Sequence, residues 1–283
     1  MTTRGELREA LAAVARPIGF VPTMGALHEG HAALIRTARA ECATVVVSIY
    51  VNPRQFNSAA DLEAYPRTLS ADVKVAEANG AALLFAPSDD EMYPPGARIA
   101  DADPGPLAKR LEGAKRPGHF AGVATVVTRL FDIVEPDVAY FGEKDAQQVR
   151  VVEWIAAQRP ATSRVQIRRV PTVRDHDGLA LSSRNARLTQ RGREVARAIP
   201  KALDEIERAA TTEHQTVLQL RRAGEHTLNS SGLQLEYLDF ADPDSLQPLD
   251  ESDAVHDALV TVAAVVDGVR LLDERLLRRS QRD

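Results

Sequence analysis

The chain has 283 residues, 44% of them hydrophobic, with 35 Lys and Arg against 40 Asp and Glu, a net charge of −5. That length fits one large domain or two ordinary ones, and 27% charged residues with ordinary Gly and Pro counts, 16 of each, exclude disorder, collagen and low complexity. The acidic balance argues against nucleic-acid or membrane-surface binding, because those polyanionic partners select basic faces, and the single cysteine, Cys42, excludes an intrachain disulfide and a Cys-based zinc site.

From the N-terminus, MTTRGELREALAAVARPIGF lacks the apolar core of a signal peptide. Leu7, Leu11 and Val14 have helical spacing over 6–15, and Pro17 closes that helix. Residues 18–21 read as a buried strand ended by Pro22 and Gly25. Helical spacing returns over 31–43 through Leu34, Ile35 and Ala38, and Cys42 at its end reads as a small buried hydrophobe. VVVSIYV, 45–51, has the β-branched run of a parallel strand covered on both faces. Then come a helix over 72–79 stopped by Gly80, a strand over 82–86, a helix over 123–134, a strand over 138–141, a helix over 146–157 and a strand over 165–173. Such alternation with short links predicts an α/β fold with a Rossmann-like doubly wound parallel sheet, whose ligands bind outside the carboxyl ends of the strands. After Asp175 the order changes to one long helix over 190–209, a second over 217–228, and strands over 235–240 and 258–265. This predicts a smaller α+β domain. The turn residues RDHDG, 174–178, mark the seam, so domains of 1–175 and 176–283 are expected. The longest apolar run, 258–266, falls well short of the ~18 residues of a membrane span, and a soluble cytoplasmic protein is expected.

The strongest local signal is PTMGALHEGH, 22–31. His28 and His31 lie between the end of a strand and the start of a helix. A helix N-terminus carries roughly half a positive charge and free N–H groups, and Gly25 and Gly30 let the backbone approach a ligand. Imidazoles placed there can bond phosphate oxygens and stabilise charge as pyrophosphate leaves. An isolated HxxH is more often an incidental surface pair, but the strand–loop–helix context reverses that balance. Zinc is disfavoured, since the spacing is not i, i+4 and no third ligand is near in sequence. Gln55, just past the strand 45–51, has an amide suited to a ligand with hydroxyl and carboxylate groups. GEKD, 142–145, follows the strand 138–141, with Lys144 suited to a phosphate and Asp145 to ribose hydroxyls; the bland account is a solvated ion pair. Arg116 and His119 lie in a basic segment, 109–120, with four Lys and Arg and one Glu. Ser182, Ser183 and Arg184 open a stretch, 182–193, with four Arg and no acid, a set of phosphate ligands or an ordinary basic helix start.

HEGH following PTMG resembles the HIGH motif of the nucleotidyltransferase superfamily, and the whole segment is similar to the pantothenate synthetase (pantoate:β-alanine ligase) family. SIYVNPRQF, RPGHFAGVATVV, YFGEKDAQQ and PTVRDHDGLALSSRN follow in that family's order and approximate spacing. The resemblance covers nearly all of the first domain and the seam, and weakens beyond. It implies an AMP-forming ligase that joins pantoate to β-alanine through a pantoyl adenylate, in a homodimer, with VVVSIYV as a possible contact region and 176–283 as a lid. It implies that His31 donates a proton while His28 and Lys144 stabilise phosphates. For ATP it implies Met24, Gly25, Ala26, Leu27, His28, Glu29, Gly30 and His31, then Gly142, Glu143, Lys144 and Asp145, then Val173 through its backbone, and Leu181, Ser182, Ser183 and Arg184 in a loop closing on the triphosphate. For pantoate it implies Gln55 and Gln148, with Asn52 nearby, and it makes the segment of Arg116 and His119 a flap that supplies cations to the pantoate carboxylate or to phosphates. Two positions depart from the family pattern. Leu181 stands where Met is common, a volume-conserving change. After YPRT the family often carries several acids able to hold magnesium, whereas LSADVKV leaves only Asp72 beside Ala71, so Mg2+ is expected to arrive with ATP and no protein metal site is expected. A nucleotidylyltransferase, a class I aminoacyl-tRNA synthetase and a non-catalytic nucleotide-binding module are the alternatives.

Overall fold

The computed structural model describes residues 1–160, 164–211 and 215–278. The chain divides into two compact units, Met1–Thr172 and Val173–Asp283.

In the first unit, strands Ile18–Thr23 (β1), Thr44–Ile49 (β2), Leu83–Phe85 (β3), Val138–Gly142 (β4) and Gln166–Val170 (β5) form a sheet in the order β3-β2-β1-β4-β5, with every neighbouring pair parallel. Successive residues of these strands enter two different cores. Ile18, Phe20, Val46 and Phe141 join Leu7 and Phe131 on one face, while Val21, Val45, Val47 and Tyr140 join Leu34 and Ile35 on the other. Both faces are covered, which is why β2 reads as an unbroken apolar run instead of an alternation. The chain runs outward from β1 to β2 and β3, then returns across the sheet to β4 and β5. The connections after β1 and β4 therefore leave in opposite directions, the topology that places ligands of such sheets at the carboxyl ends of these two strands.

The interior position of β2 leaves its backbone no free edge for the dimer contact expected around VVVSIYV. Both of its backbone edges are paired, to β1 and β3, and its residues are buried except for half-buried Ile49. Within VVVSIYV only Ile49 and Val51 are half-buried; the other residues are buried.

The second unit packs helices Gln190–Ala196, Ala198–Ala210 and Val217–Ser230 on an antiparallel sheet of Gln234–Ala241 (β6), Ala258–Val266 (β7) and Val269–Leu277 (β8). The single helix expected over 190–209 is broken at Arg197. Pro200 lacks an N–H and its ring opposes the carbonyl four residues back, at Ala196, where the first helix ends. Strand β8 was not anticipated, because its charged residues mask the alternation. Its signal was the Asp267-Gly268 pair, both with positive φ (52° and 72°), which turns β7 into β8. RDHDG forms a tight turn inside this unit, with Asp175 N donating to Leu179 O at 2.8 Å and Arg174 forked on Asp273 at 2.7 and 3.0 Å. Among the described residues no helix is long and apolar enough to cross a membrane.

Candidate active site

Past β1 the chain makes a double left-handed turn, with φ of +83° at Gly25 and +50° at Ala26. Such a backbone is costly for alanine and persists only where neighbours fix it. Here Thr23 Oγ1 accepts from Gly25 N at 3.1 Å, and the carboxylate of Asp72 accepts from Ala26 N at 3.1 Å and Leu27 N at 2.8 Å. Asp72 is 2% exposed and also accepts from the Thr68 hydroxyl at 3.1 Å. Sequence reasoning considered Asp72 only for metal binding. The clue to its place was an acid four residues before Ala76 on the buried stripe of helix Leu69–Ala78, a position that an ionised side chain occupies only when fully bonded.

The helix Glu29–Glu41 begins with His28 as its cap. Gly30 N donates to His28 Nδ1 at 3.1 Å and His28 N to His31 Nδ1 at 3.2 Å. Several N–H groups of this segment are therefore already engaged: those of Gly25, Ala26, Leu27, His28 and Gly30 all donate within the protein. What remains is on the rings. Each Nδ1 is an acceptor, so the proton of each neutral imidazole sits on Nε2. Burial, followed by the Lys144 charge, pushes His28 down to about 4. Burial, followed by His28 and then Lys144, pushes His31 down to about 3. Both are half-buried neutral donors at neutral pH, with ring centroids 4.2 Å apart. Glu29 turns away from this pair to an exposed ion pair with Arg36.

Lys144 sits in the turn Glu143–Asp145 directly after β4, 3.6 Å from Asp145 Oδ1. β1 and β4 are parallel neighbours, so the segments that leave their carboxyl ends start side by side, and the Lys144 charge acts on both rings. Gly142 has an ordinary φ of −78°, and a Cβ built there would meet nothing within 4 Å. No packing or backbone demand explains this glycine, so the end of β4 keeps open space.

Gln55 lies past β2, 8% exposed, with Nε2 donating to Met24 Sδ at 3.0 Å and Oε1 accepting from Asn52 Nδ2 at 3.0 Å. Asn52 is 1% exposed and fully engaged. Its Oδ1 accepts from the Tyr93 hydroxyl at 2.9 Å and from Arg54 N at 3.3 Å, and its Nδ2 also donates to Gly122 O at 3.1 Å. The structure thus places Asn52 as the support of Gln55. His119 opens the helix His119–Val134, four residues earlier than its apolar pattern indicated. Its Nδ1 is 2.8 Å from Gln55 O, an atom that only accepts, so Nδ1 carries the proton and Nε2 accepts from Arg116 Nη1 at 3.2 Å. Burial first and Arg116 second hold His119 down at about 4. The expected second cation is therefore a neutral spacer that aims Arg116, and Arg116 carries the charge alone.

Gln147 and Gln148 part company on helix Ala146–Gln158. Gln147 is 5% exposed and ties down the segment 107–112 through Leu107 O at 2.8 Å, Arg110 O at 2.6 Å and Glu112 N at 3.0 Å. Gln148 is half-buried, and its amide has no partner among the described residues.

In the second unit, Leu181 N donates to Val173 O at 3.0 Å, and Ser182 Oγ accepts from Arg184 N at 3.3 Å to cap the turn Ser183–Arg187. Ser182, Ser183 and Arg184 are half-buried. Arg193, counted with the basic stretch, is spent on Asp175 at 2.5 Å and Asp177 at 2.7 Å. Among the described residues no three His, Cys, Asp or Glu side chains gather as a metal site.

The arrangement offers neutral N–H donors and a lysine at one strand pair, and an amide with an arginine at the next, which suits an anionic leaving group beside a small carboxylate. The pantoate-beta-alanine ligase family model matches residues 1–276. The chain is 45% identical over 262 residues to pantothenate synthetase of Corynebacterium glutamicum, covering 91% of this chain and 92% of that protein. The crystal structure of pantothenate synthetase from Thermus thermophilus superposes with a TM-score of 0.89 at 44% identity, covering 97% of this chain and 98% of that one. The ligase of Francisella tularensis, complexed with beta-gamma ATP and beta-alanine, gives 0.80 at 34% identity over 98% and 96% of the two chains. Matched in sequence and in fold along nearly its whole length, the chain belongs to the pantoate-beta-alanine ligase family.

Proposed function

We propose that the protein condenses pantoate with β-alanine at the expense of ATP, giving pantothenate, AMP and pyrophosphate. The observation that carries this is that one loop joins two functional groups. The loop after β1 leads from Met24 to His28 and into the helix that holds His31, and Met24 Sδ accepts from Gln55 Nε2 of the carboxylate side at 3.0 Å.

In the first step a pantoate carboxylate oxygen attacks the α-phosphorus, and the bond to the β-phosphate oxygen breaks. Charge grows on the departing pyrophosphate, where fixed N–H donors and a lysine are most effective. His28 and His31 serve as Nε2–H donors to those oxygens and Lys144 as their cation. The neutral state of His31 makes it a hydrogen-bond donor to the leaving group, and the bound polyanion itself draws its proton affinity upward. Arg116 and the amides of Gln55 and Gln148 hold pantoate. In the second step the amine of β-alanine attacks the adenylate carbonyl, the C–O bond to AMP breaks, and the amine proton passes to solvent. Mg2+ enters with ATP as part of the substrate. Ser182, Ser183 and Arg184 serve the phosphates, residues 176–283 act as a lid, and the assembly is a homodimer.

The test combines enzyme, ATP, Mg2+ and pantoate. Pyrophosphate exchange that requires pantoate, with AMP accumulating only once β-alanine is added, supports the ligase. Exchange without pantoate, or AMP transfer onto a phosphate ester, supports a nucleotidylyltransferase instead; ATP binding without turnover supports a regulatory module.

A further inference from the structure

Two successive backbone N–H groups, those of Ala26 and Leu27, converge on one point because Gly25 and Ala26 are both left-handed. Such a concavity is an anion-binding nest. Its anion is the protein's own: the two carboxylate oxygens of Asp72, from a helix 45 residues on in the chain. A carboxylate has about four lone-pair positions, and three here are taken, by Ala26 N, Leu27 N and the Thr68 hydroxyl. Asp72 is buried. Only one lone-pair position is left for a cation, and one that took a second would displace a bond that holds this turn.

Leu27 is followed directly by His28, which caps the next helix and shares its turn with His31. The Nε2 positions of both rings are thus set by a short rigid path from Asp72. We propose that Asp72 is a positioning residue of the adenylation step, acting through the backbone of Ala26 and Leu27 on His28 and His31, and that it is not a magnesium ligand. This rests on the adenylation reading above for its kinetic consequences, while its geometric content stands on the ligand-free protein.

The experiment uses the full chain carrying Asp72→Asn, which keeps the shape but puts an NH2 against one N–H, and Thr68→Val, which removes only the third bond. Pantoate-dependent pyrophosphate exchange is expected to slow by roughly 10- to 100-fold in Asp72→Asn, the scale of a misplaced catalytic group, and to slow less in Thr68→Val. The Mg2+ concentration giving half-maximal rate should stay that of the wild type. In ligand-free 15N-histidine spectra, His28 and His31 should lose the fixed Nε2–H tautomer that the wild type displays. A severalfold rise in the Mg2+ requirement overturns the proposal in favour of a metal ligand, and wild-type exchange with unchanged ring signals overturns it outright. If the wild type itself shows no pantoate-dependent exchange, the functional reading fails, and the ring signals alone decide for or against the positioning role.

Discussion

A single methyl group at Gly122 tests whether Gln55 is placed by helix packing. Gly122 lies in the first turn of His119–Val134, and a Cβ there would stand 2.4 Å from Arg54 O, 2.6 Å from Arg54 C and 2.8 Å from Gln55 N. Ordinary contact begins near 3.4 Å, so the helix and the turn Pro53–Gln55 must part by about 1 Å, and the obstacle is backbone that no rotamer change relieves. Alanine gains about 1 kcal/mol of helix propensity over glycine, against roughly 1–3 kcal/mol for overpacking, so the net is destabilising by up to about 2 kcal/mol. The functional cost is larger. The same parting stretches the bonds from His119 and Arg116 to Gln55 O and from Asn52 to Gly122 O. A misplacement of about 1 Å can cost about 100-fold, so kcat/KM for pantoate should fall by about that factor in Gly122→Ala. Steady-state pyrophosphate exchange with pantoate varied, then with ATP varied, measures it, and the ATP dependence should change far less. A folded variant with wild-type kcat/KM for pantoate would show that Gln55 does not hold this substrate or that the packing is slack.

His31→Ala and Lys144→Ala should each slow adenylate formation by orders of magnitude, roughly 100-fold or more, with unchanged far-UV circular dichroism; near-wild-type rates would remove both from the phosphate site. Acid should destabilise the first unit through its buried histidines. For His119 the folded value of about 4 lies below the ordinary 6.5, so the unfolded ring takes up a proton that the folded one refuses, and stability is full above pH 6.5 and declines as pH falls toward 4. Between pH 7.5 and 5 this one ring accounts for about 2 kcal/mol. Denaturant titrations should show a shallower pH dependence in His119→Gln, and an equal slope in both proteins would contradict a neutral buried ring.

The parallel sheet was legible because both its faces are buried, and the histidine pair because it sits at a strand end beside glycines. What holds that pair was not legible. Asp72 meets Ala26 and Leu27 only through the packing of a helix far along the chain, and periodicity says nothing of which N–H groups are already satisfied. Asn52 and His119 carry polar side chains like those of ligand-binding residues; burial and the acceptor-only carbonyl of Gln55 show that they support neighbours. Gln147 and Gln148 differ by one position, about 100° around a helix, and only the structure shows which amide faces the 107–112 segment and which is unengaged. The loss of β8 from the sequence reading has the opposite origin, since its pairing with β7 was announced by two turn residues while its own charges resembled a helix surface.

The bond from Gln55 to Met24 uses a thioether, a weak acceptor, at the point where the two halves of the site meet. Peroxide would convert that sulfur into a sulfoxide, whose oxygen is a strong acceptor standing one S–O bond further out. Gln55 would then be held harder and pushed back at once, and the side chain would become chiral at sulfur. With Gln55 assigned to pantoate as proposed, oxidative damage at this half-buried methionine would fall on the organic acid before it fell on the nucleotide, and a methionine sulfoxide reductase could reverse it.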